Sequence, residues 1–297
     1  MPSRFSIVLI LIFWLMVTAY VVHREVLPRF NADAPPAVQI DLSDEATVRI
    51  PAQWGVFLGD KRLGTLNTQM LYDNKADVYT YVSTYNDLKI TAAVFEISAP
   101  KLKLTTTVNR DGAMVAQGMK GNIIAADAKR PMLKLQASVT MDGVVIDGLM
   151  QGRCTVNADA LGIKLDEPFE PVPVPAGQVL QPLQPMNRLR GVKPGHRWMI
   201  REVNPLTDAV TLLVSKMLKG NGLDSLMKQG TQKPEMIAEV RSEPVMLKLR
   251  NNEVSCWVID YRSQEVTART WVAVDGGKVL RQDANGMGET LMLLRED

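Results

Sequence analysis

The apolar run at residues 5–22 contains no charged side chain. At about 1.5 Å per residue, a helix of this length is just long enough to cross a hydrocarbon core of roughly 30 Å. We therefore predict a transmembrane signal-anchor, preceded by a short cytoplasmic tail at residues 1–4. The side chains expected to face lipid are Phe5, Ile7, Leu9, Leu11, Phe13, Trp14, Leu15, Val17, Tyr20 and Val22.

A cleaved signal peptide is the alternative interpretation of this run. Val17-Thr18-Ala19 fits a small-residue cleavage motif, but apolar residues continue to Val22 and Trp14 lies within the run. Basic residues flank both ends, so their number hardly decides the orientation. Because so short a tail precedes the run and a β-rich body follows it, we expect a single-pass protein with a periplasmic body.

A different pattern begins after a juxtamembrane linker at residues 23–50. Apolar and polar residues alternate, which is typical of strands with one buried face. Residues 54–58 and 63–72 flank a polar turn and predict a hairpin. The alternation predicts a first β-rich half over residues 51–167.

Asp-Gly pairs between alternating runs are strong hairpin signals. We place one turn at Asp111-Gly112 and another at Asp142-Gly143, where residues 132–141 would pair with residues 144–149. Asp275-Gly276 predicts a further hairpin near the end of the chain. These turns indicate a meander of antiparallel strands.

Prolines interrupt the strand pattern at residues 168–186. Proline cannot donate to a strand ladder, so this Pro-rich connection is interpreted as a surface crossing or as a linker between two halves. The extended conformation of such segments also suits a recognition role. A second β-rich half then covers residues 187–297.

One helix is predicted within the second half, at about residues 205–219. Asn204 can cap it, and Pro205 suits its first position. Its apolar stripe, which we expect to pack against the sheet and line a pocket, is Val210, Leu213, Val214 and Met217. The resulting fold class is α+β and mainly antiparallel β: a curved, half-barrel-like sheet with one packed amphipathic helix, behind the transmembrane anchor.

Composition narrows the function classes. Lys plus Arg number 34 and Asp plus Glu 32, a net charge of +2 that argues against a dedicated nucleic-acid binder. With two cysteines and two histidines, a Cys/His zinc site is not expected, and no cofactor motif is present. Cys154 and Cys256 either pair as a disulfide in an oxidising compartment or are two separate buried thiols.

Two stretches carry a family resemblance. Residues 54–65 (WGVFLGDKRLGT) and residues 268–282 (ARTWVAVDGGKVLRQ) resemble the opening and closing hairpins of DUF3108-like extracytoplasmic domains. Similar hairpins occur in periplasmic lipoprotein carriers related to LolA and RseB, and in β-rich segments of bacterial transglutaminase-like proteins. The resemblance implies a β-rich domain that carries or senses an apolar ligand, and it transfers no catalytic residues.

Candidate chemistry is sparse, so we expect no enzyme activity and no cofactor. The alternative is a transglutaminase-like or other Cys/His-dependent enzyme, or its accessory domain, built on Cys256 and His196. Cys256 lies in an alternating strand, where a structural thiol is the usual outcome. Five basic residues also suit either anionic lipid headgroups or the solvated face of two strands: Lys101, Lys103, Lys129, Arg130 and Lys134.

The function expected from the sequence is that of a membrane-anchored, non-enzymatic binding or scaffold protein of the bacterial cell envelope. Its partners would be the membrane, through the N-terminal helix, and an apolar or lipid-like ligand or an envelope protein. A structural component of an envelope assembly is a further alternative. No nucleic acid is expected among the partners.

Overall fold

The structure, a computed structural model, describes residues 40–92, 95–127, 130–174, 177, 179–180, 184–200, 236–250, 252–262, 266–286 and 289–297. The predicted anchor at residues 5–22 and the predicted helix at about residues 205–219 lie outside these ranges. Within the ranges, no helix combines the length and the apolar character needed to cross a bilayer.

The described chain contains one short α-helix, a 3₁₀ turn at Asp159–Leu161 and fifteen strands. The helix α1 lies within the segment predicted as a linker, and Asp41 caps it by accepting a hydrogen bond from the Asp44 amide at 3.0 Å. The elements are α1 (Leu42–Thr47), β1 (Ala52–Leu58), β2 (Lys61–Asp73), β3 (Val78–Ala92), β4 (Phe95–Val108), β5 (Met114–Asp127), β6 (Arg130–Ile146), β7 (Leu149–Ala158), β8 (Ile163–Pro173), β9 (Arg197–Ile200), β10 (Met236–Val240), β11 (Val245–Leu249), β12 (Asn252–Arg262), β13 (Val266–Ala273), β14 (Val279–Gly286) and β15 (Glu289–Arg295).

All strands belong to one antiparallel sheet that does not close on itself. Its order is β8-β7-β6-β5-β4-β3-β2-β1-β15-β14-β13-β12-β10-β9, and β11 pairs with one end of β12. The predicted mainly antiparallel β architecture is therefore confirmed. The first and last described strands, β1 and β15, pair at the centre of the sheet, with Trp54 opposite Arg295.

One predicted turn is wrong. Asp142-Gly143 lies inside β6, and the chain reverses at Asp147-Gly148, where both residues have positive φ (51° and 74°). Such φ values suit the tight turns that join adjacent antiparallel strands. Gly143 has a packing role instead, because a Cβ atom there would lie 3.0 Å from the Met150 side chain.

The two faces of the sheet differ in what they bury. The inner face carries the main apolar core, which includes Trp54, Leu66 and Tyr81 and receives side chains from strands in both halves of the sheet. The outer face holds a small second cluster around Cys256 and Leu280. Side chains alternate between the two faces along each strand, so the pairing registers assign each residue to one of them.

The Pro-rich connection contributes to the core. β8 continues to Pro173, and beyond it Val179, Leu180 and Met186 are buried. The carbonyl of Pro185 accepts hydrogen bonds from Thr68 Oγ1 at 2.9 Å and from the Tyr81 hydroxyl at 3.1 Å. A segment lacking many amide donors is thus fixed through its carbonyls to side chains of the inner face.

Candidate ligand-binding face

Near the turns, the inner face of the first half is fully buried. Tyr79, Val108, Met114, Met150 and Val172 lie in the core. Further along the same strands, most of the larger inward side chains are only half buried. The boundary arises because β3–β6, each 14–17 residues long, extend past the seven-residue strand β1.

A row of half-buried apolar side chains borders the core on this inner face. We call it the inner strip: Tyr85, Leu88, Leu102, Met119, Val139 and Val156. The registers align four of its members and Gly121 across the five strands β3 to β7, with Tyr85 opposite Leu102 and, beyond Gly121, Val139 opposite Val156. Adjacent strands are about 4.8 Å apart, so this row extends over roughly 20 Å.

Gly121 has no side chain, so the apolar surface is lower at the middle of the row. It faces Leu102 on one side and Val139 on the other, and a Cβ atom there would lie 2.8 Å from Leu102 Cδ1. The Leu102 side chain therefore leans over the glycine. A shallow apolar surface results in place of a ridge.

The apolar character continues toward the far ends of the strands. Ile90 and Ile97 lie opposite each other on β3 and β4, each 38 % exposed. Half-buried Ile123 and Leu135 occupy inward positions on β5 and β6. Inner-face side chains that are apolar but incompletely covered are the usual sign of a contact surface when they form one continuous patch.

Tyr85 supplies the polar group of the inner strip. Burial raises the pKa of its hydroxyl, so it is a neutral hydrogen-bond donor and acceptor at physiological pH. Its neighbour Tyr81 donates to the Pro185 carbonyl, whereas none of the described residues hydrogen-bonds the Tyr85 hydroxyl. The strip thus combines apolar side chains with one hydroxyl beside the core.

The two cysteines are both free and buried, and they are not bonded to each other. Cys154 lies on the inner face of β7 and Cys256 on the outer face of β12, ten strands further along the sheet. Burial raises the pKa of the Cys256 thiol to about 11 and raises that of Cys154. Both are therefore protonated near neutral pH.

His196, the proposed base of the enzyme alternative, immediately precedes β9. Its carbonyl accepts a hydrogen bond from the Val240 amide at 2.9 Å. β9 pairs with β10, and β10 pairs with residues 259–262 of β12, whereas Cys256 pairs with Val245 of β11. No described hydrogen bond or ion pair links His196 to Cys256.

An ionic cluster on the outer face of β12 is centred on the buried carboxylate of Asp260. Arg241 donates to it at 2.9 and 3.1 Å, and Arg269 donates at 3.0 Å. Burial alone would raise the pKa of Asp260, but the two guanidiniums lower it overall. A groove of about 640 Å³ beside the cluster is also lined by Glu239 and Glu243, so its charges largely cancel.

The sequence alone did not identify the inner strip, although the alternation over residues 51–167 contains all of its members. The predicted pocket helix with Val210, Leu213, Val214 and Met217 lies outside the described residues. Among the residues that the structure describes, no group of three or more His, Cys, Asp or Glu side chains is arranged to hold a metal ion.

Comparisons of this chain with protein-family models, with curated proteins and with solved structures find no match.

Proposed function

We propose that this chain is a membrane-anchored, extracytoplasmic binding protein that holds an apolar or lipid-like ligand on the inner face of its sheet. The single observation that carries the proposal is the inner strip, a continuous apolar row that is only half buried. In this proposal residues 5–22 tether the body to the membrane, and the sheet curves in a half-barrel with the strip on its concave side.

The chemistry of the inner strip suits a ligand with a long apolar part and a small polar end. Leu102, Met119, Val139 and Val156 offer apolar contact over several strands, which matches an acyl chain better than a compact solute. Ligand sites of this kind are mostly apolar with a few placed polar groups. The Tyr85 hydroxyl is the group that would meet the polar end.

The proposal also explains why the long strands continue past the core. Apolar surface that is exposed to water is unfavourable. Its burial stabilises by about 25 cal/mol per Å². A ligand that covers the inner strip would provide this burial. The neutral, buried thiol of Cys256 gives no comparable support to the enzyme alternative.

Photocrosslinking of the full-length protein in lipid nanodiscs tests the proposal. We expect a diazirine-bearing fatty acid to label residues of the inner strip, and Val139→Lys to reduce that labelling on the order of tenfold, as a buried charge opposes an apolar ligand. Val144→Lys is the matched control, because Val144 is 51 % exposed on the outer face of the same strand.

Labelling confined to residues 5–22 or to the outer face would rule the binding site out. Equal loss of labelling in the two variants would also contradict it. In that case an assembly role, with the strip covered by another envelope protein, becomes the better explanation of the exposed apolar row.

A further inference from the structure

The outer face opposite the inner strip is rich in exposed lysines. We call it the lysine face, and its members come from strands β3 to β8: Lys89, Lys101, Lys103, Lys120, Lys134 and Lys164. Each lies at an outward position, because its neighbours in sequence belong to the inner face in the pairing registers. Lys129, which the sequence grouped with some of them, is outside the described residues.

Carboxylates on this part of the outer face do not balance the lysines. They are Asp87, Glu96, Asp142 and Asp166, fewer than the six lysines, and Asp166 is already held by Arg153 at 2.7 Å. None of the six lysines forms an ion pair with a described residue. The whole chain has a net charge of only +2, so this face concentrates positive charge.

The charge imbalance is greatest at Lys103 and Lys120. They lie directly opposite each other on β4 and β5, with Thr84 and Thr140 as the next residues in the same row. Like charges directly opposite on adjacent strands destabilise a sheet. An anionic partner that lies against this face would neutralise both charges, whereas no residue in the described part of the chain forms an ion pair with either lysine.

The side chains between the lysines are short and mostly polar. Ser98, Asn122, Ser138 and Thr140 occupy outward positions on the same strands, so the ammonium groups extend beyond their surroundings. A broad array of exposed positive groups on a sheet face fits an extended anionic surface better than one small anion.

We propose that the lysine face docks on a bilayer surface that contains anionic lipid headgroups. Charge complementarity carries this inference, and it goes beyond the proposed function because it fixes which side of the sheet faces the membrane. The inner strip on the opposite face would then point away from the bilayer. Each lysine near such a surface strengthens binding roughly fivefold.

Lysine acetylation of the full-length protein tests the docking. The protein is reconstituted in vesicles of phosphatidylcholine alone, or of phosphatidylcholine with phosphatidylglycerol, and acetylated with a water-soluble reagent. We expect Lys103 and Lys120 to react several-fold more slowly in the anionic vesicles, and high salt to remove the difference because it screens the charges. Lys75 and Lys248, exposed elsewhere on the protein, serve as internal references.

A double variant, Lys103→Gln with Lys120→Gln, should restore the reactivity of Lys89, Lys101 and Lys134 in anionic vesicles. The matched control replaces Lys193 and Lys248 with glutamine. It should leave the protection of Lys89, Lys101 and Lys134 unchanged. Equal reactivity in both kinds of vesicle would overturn the docking. So would protection that appears equally in neutral vesicles, that resists salt, or that requires an added acidic protein.

The readouts separate this inference from the proposed function. Fatty-acid crosslinking reports on the inner face, and lysine protection reports on the outer face. Loss of crosslinking in Val139→Lys with retained lysine protection leaves both proposals standing. Failure of lysine protection with normal crosslinking overturns the docking alone.

Discussion

Asp260 and Arg241 form a bidentate pair on the outer face, with Nε and Nη2 of the arginine donating to the two carboxylate oxygens at 2.9 and 3.1 Å. The Asp260 side chain is 3 % exposed and that of Arg241 39 %. Arg262, from the end of the same strand as Asp260, approaches the carboxylate at 3.4 Å. One buried carboxylate thus organises charged side chains next to β10, β12 and β13.

Asp260→Asn should lower the free energy of unfolding by about 2–3 kcal/mol, since it removes a buried charge partner while the arginines remain. Guanidinium titration followed by tryptophan fluorescence measures this. Asp166→Asn is the control, because Asp166 also pairs with an arginine but both side chains are more than half exposed. We expect it to unfold like the parent protein. A similar loss in both variants would mean that burial of Asp260 is unimportant.

The hairpins show what local sequence can predict. The predicted hairpin of residues 54–58 and 63–72 is found in β1 and β2, because alternation and turn residues are short-range signals. The choice between Asp142-Gly143 and Asp147-Gly148 is not local. It depends on the packing of Met150 and Phe169 against Gly143, which no single hairpin determines.

For the same reason, the long-range strand pairing and the candidate site could not be predicted from local sequence. The pairing of β1 with β15 joins residues separated by almost the whole described chain, and nothing in either strand specifies the other. Alternation predicts that Leu102, Met119 and Val139 face inward. Whether such side chains are covered depends on which elements reach them, and that is a property of the whole fold.

The fixed position of the Pro-rich connection should depend on Thr68. Its hydroxyl donates to the Pro185 carbonyl at 2.9 Å and accepts from Trp54 Nε1 at 3.1 Å. Thr68→Val keeps the shape, but it leaves Trp54 Nε1 without its acceptor and leaves the Pro185 carbonyl with the Tyr81 hydroxyl as its remaining donor, so we expect a loss of about 2 kcal/mol in unfolding titrations.

Thr80→Val is the matched control for Thr68→Val. Thr80 also makes a side-chain hydrogen bond, to Thr107 at 3.2 Å, but on the outer face away from the connection. We expect a change within about 0.5 kcal/mol there, as for most substitutions at incompletely buried sites. An equal effect of the two variants would show that the connection adds no specific stability.

Asp297 should make stability depend on pH in acid. Partial burial would raise its pKa, but hydrogen bonds from Arg295 and from the Gln53 amide lower it, from the ordinary 3.8 to about 2. Because the folded-state pKa is the lower one, ionised Asp297 stabilises the folded protein above about pH 4. That contribution is lost as the pH falls toward 2.

Unfolding titrations of the parent and of Asp297→Asn across this range measure the effect. The difference in unfolding free energy should be constant near neutral pH and shrink between about pH 4 and pH 2. Asp275→Asn, in an exposed turn, is the control for the loss of one carboxylate from the surface. A pH-independent difference would indicate that shape, and not the charge of Asp297, stabilises the end of β15.

The thiols should be reduced and unreactive in the native protein. Cys154 and Cys256 are free and buried, and burial raises the pKa of each, to about 11 for Cys256. Thiolates are the reactive species, so iodoacetamide should modify neither residue appreciably at neutral pH until the protein is unfolded. When the unfolded protein is labelled without reductant, mass spectrometry should then find two modified cysteines. Rapid native labelling of Cys256 would instead favour the enzyme alternative.

Lys103→Glu should stabilise the protein while it weakens membrane docking. The new carboxylate would lie opposite Lys120, so repulsion becomes attraction and the free energy of unfolding should rise by about 0.5 kcal/mol. Lys101→Glu is the matched control, because Lys101 faces Asn86 on β3 and has no lysine opposite it. Both variants should reduce the acetylation protection of the remaining lysines in anionic vesicles, but only Lys103→Glu should unfold at higher denaturant. If Lys103→Glu is no more stable than Lys101→Glu, the two opposed lysines do not repel appreciably and their pairing gives no reason for an anionic partner.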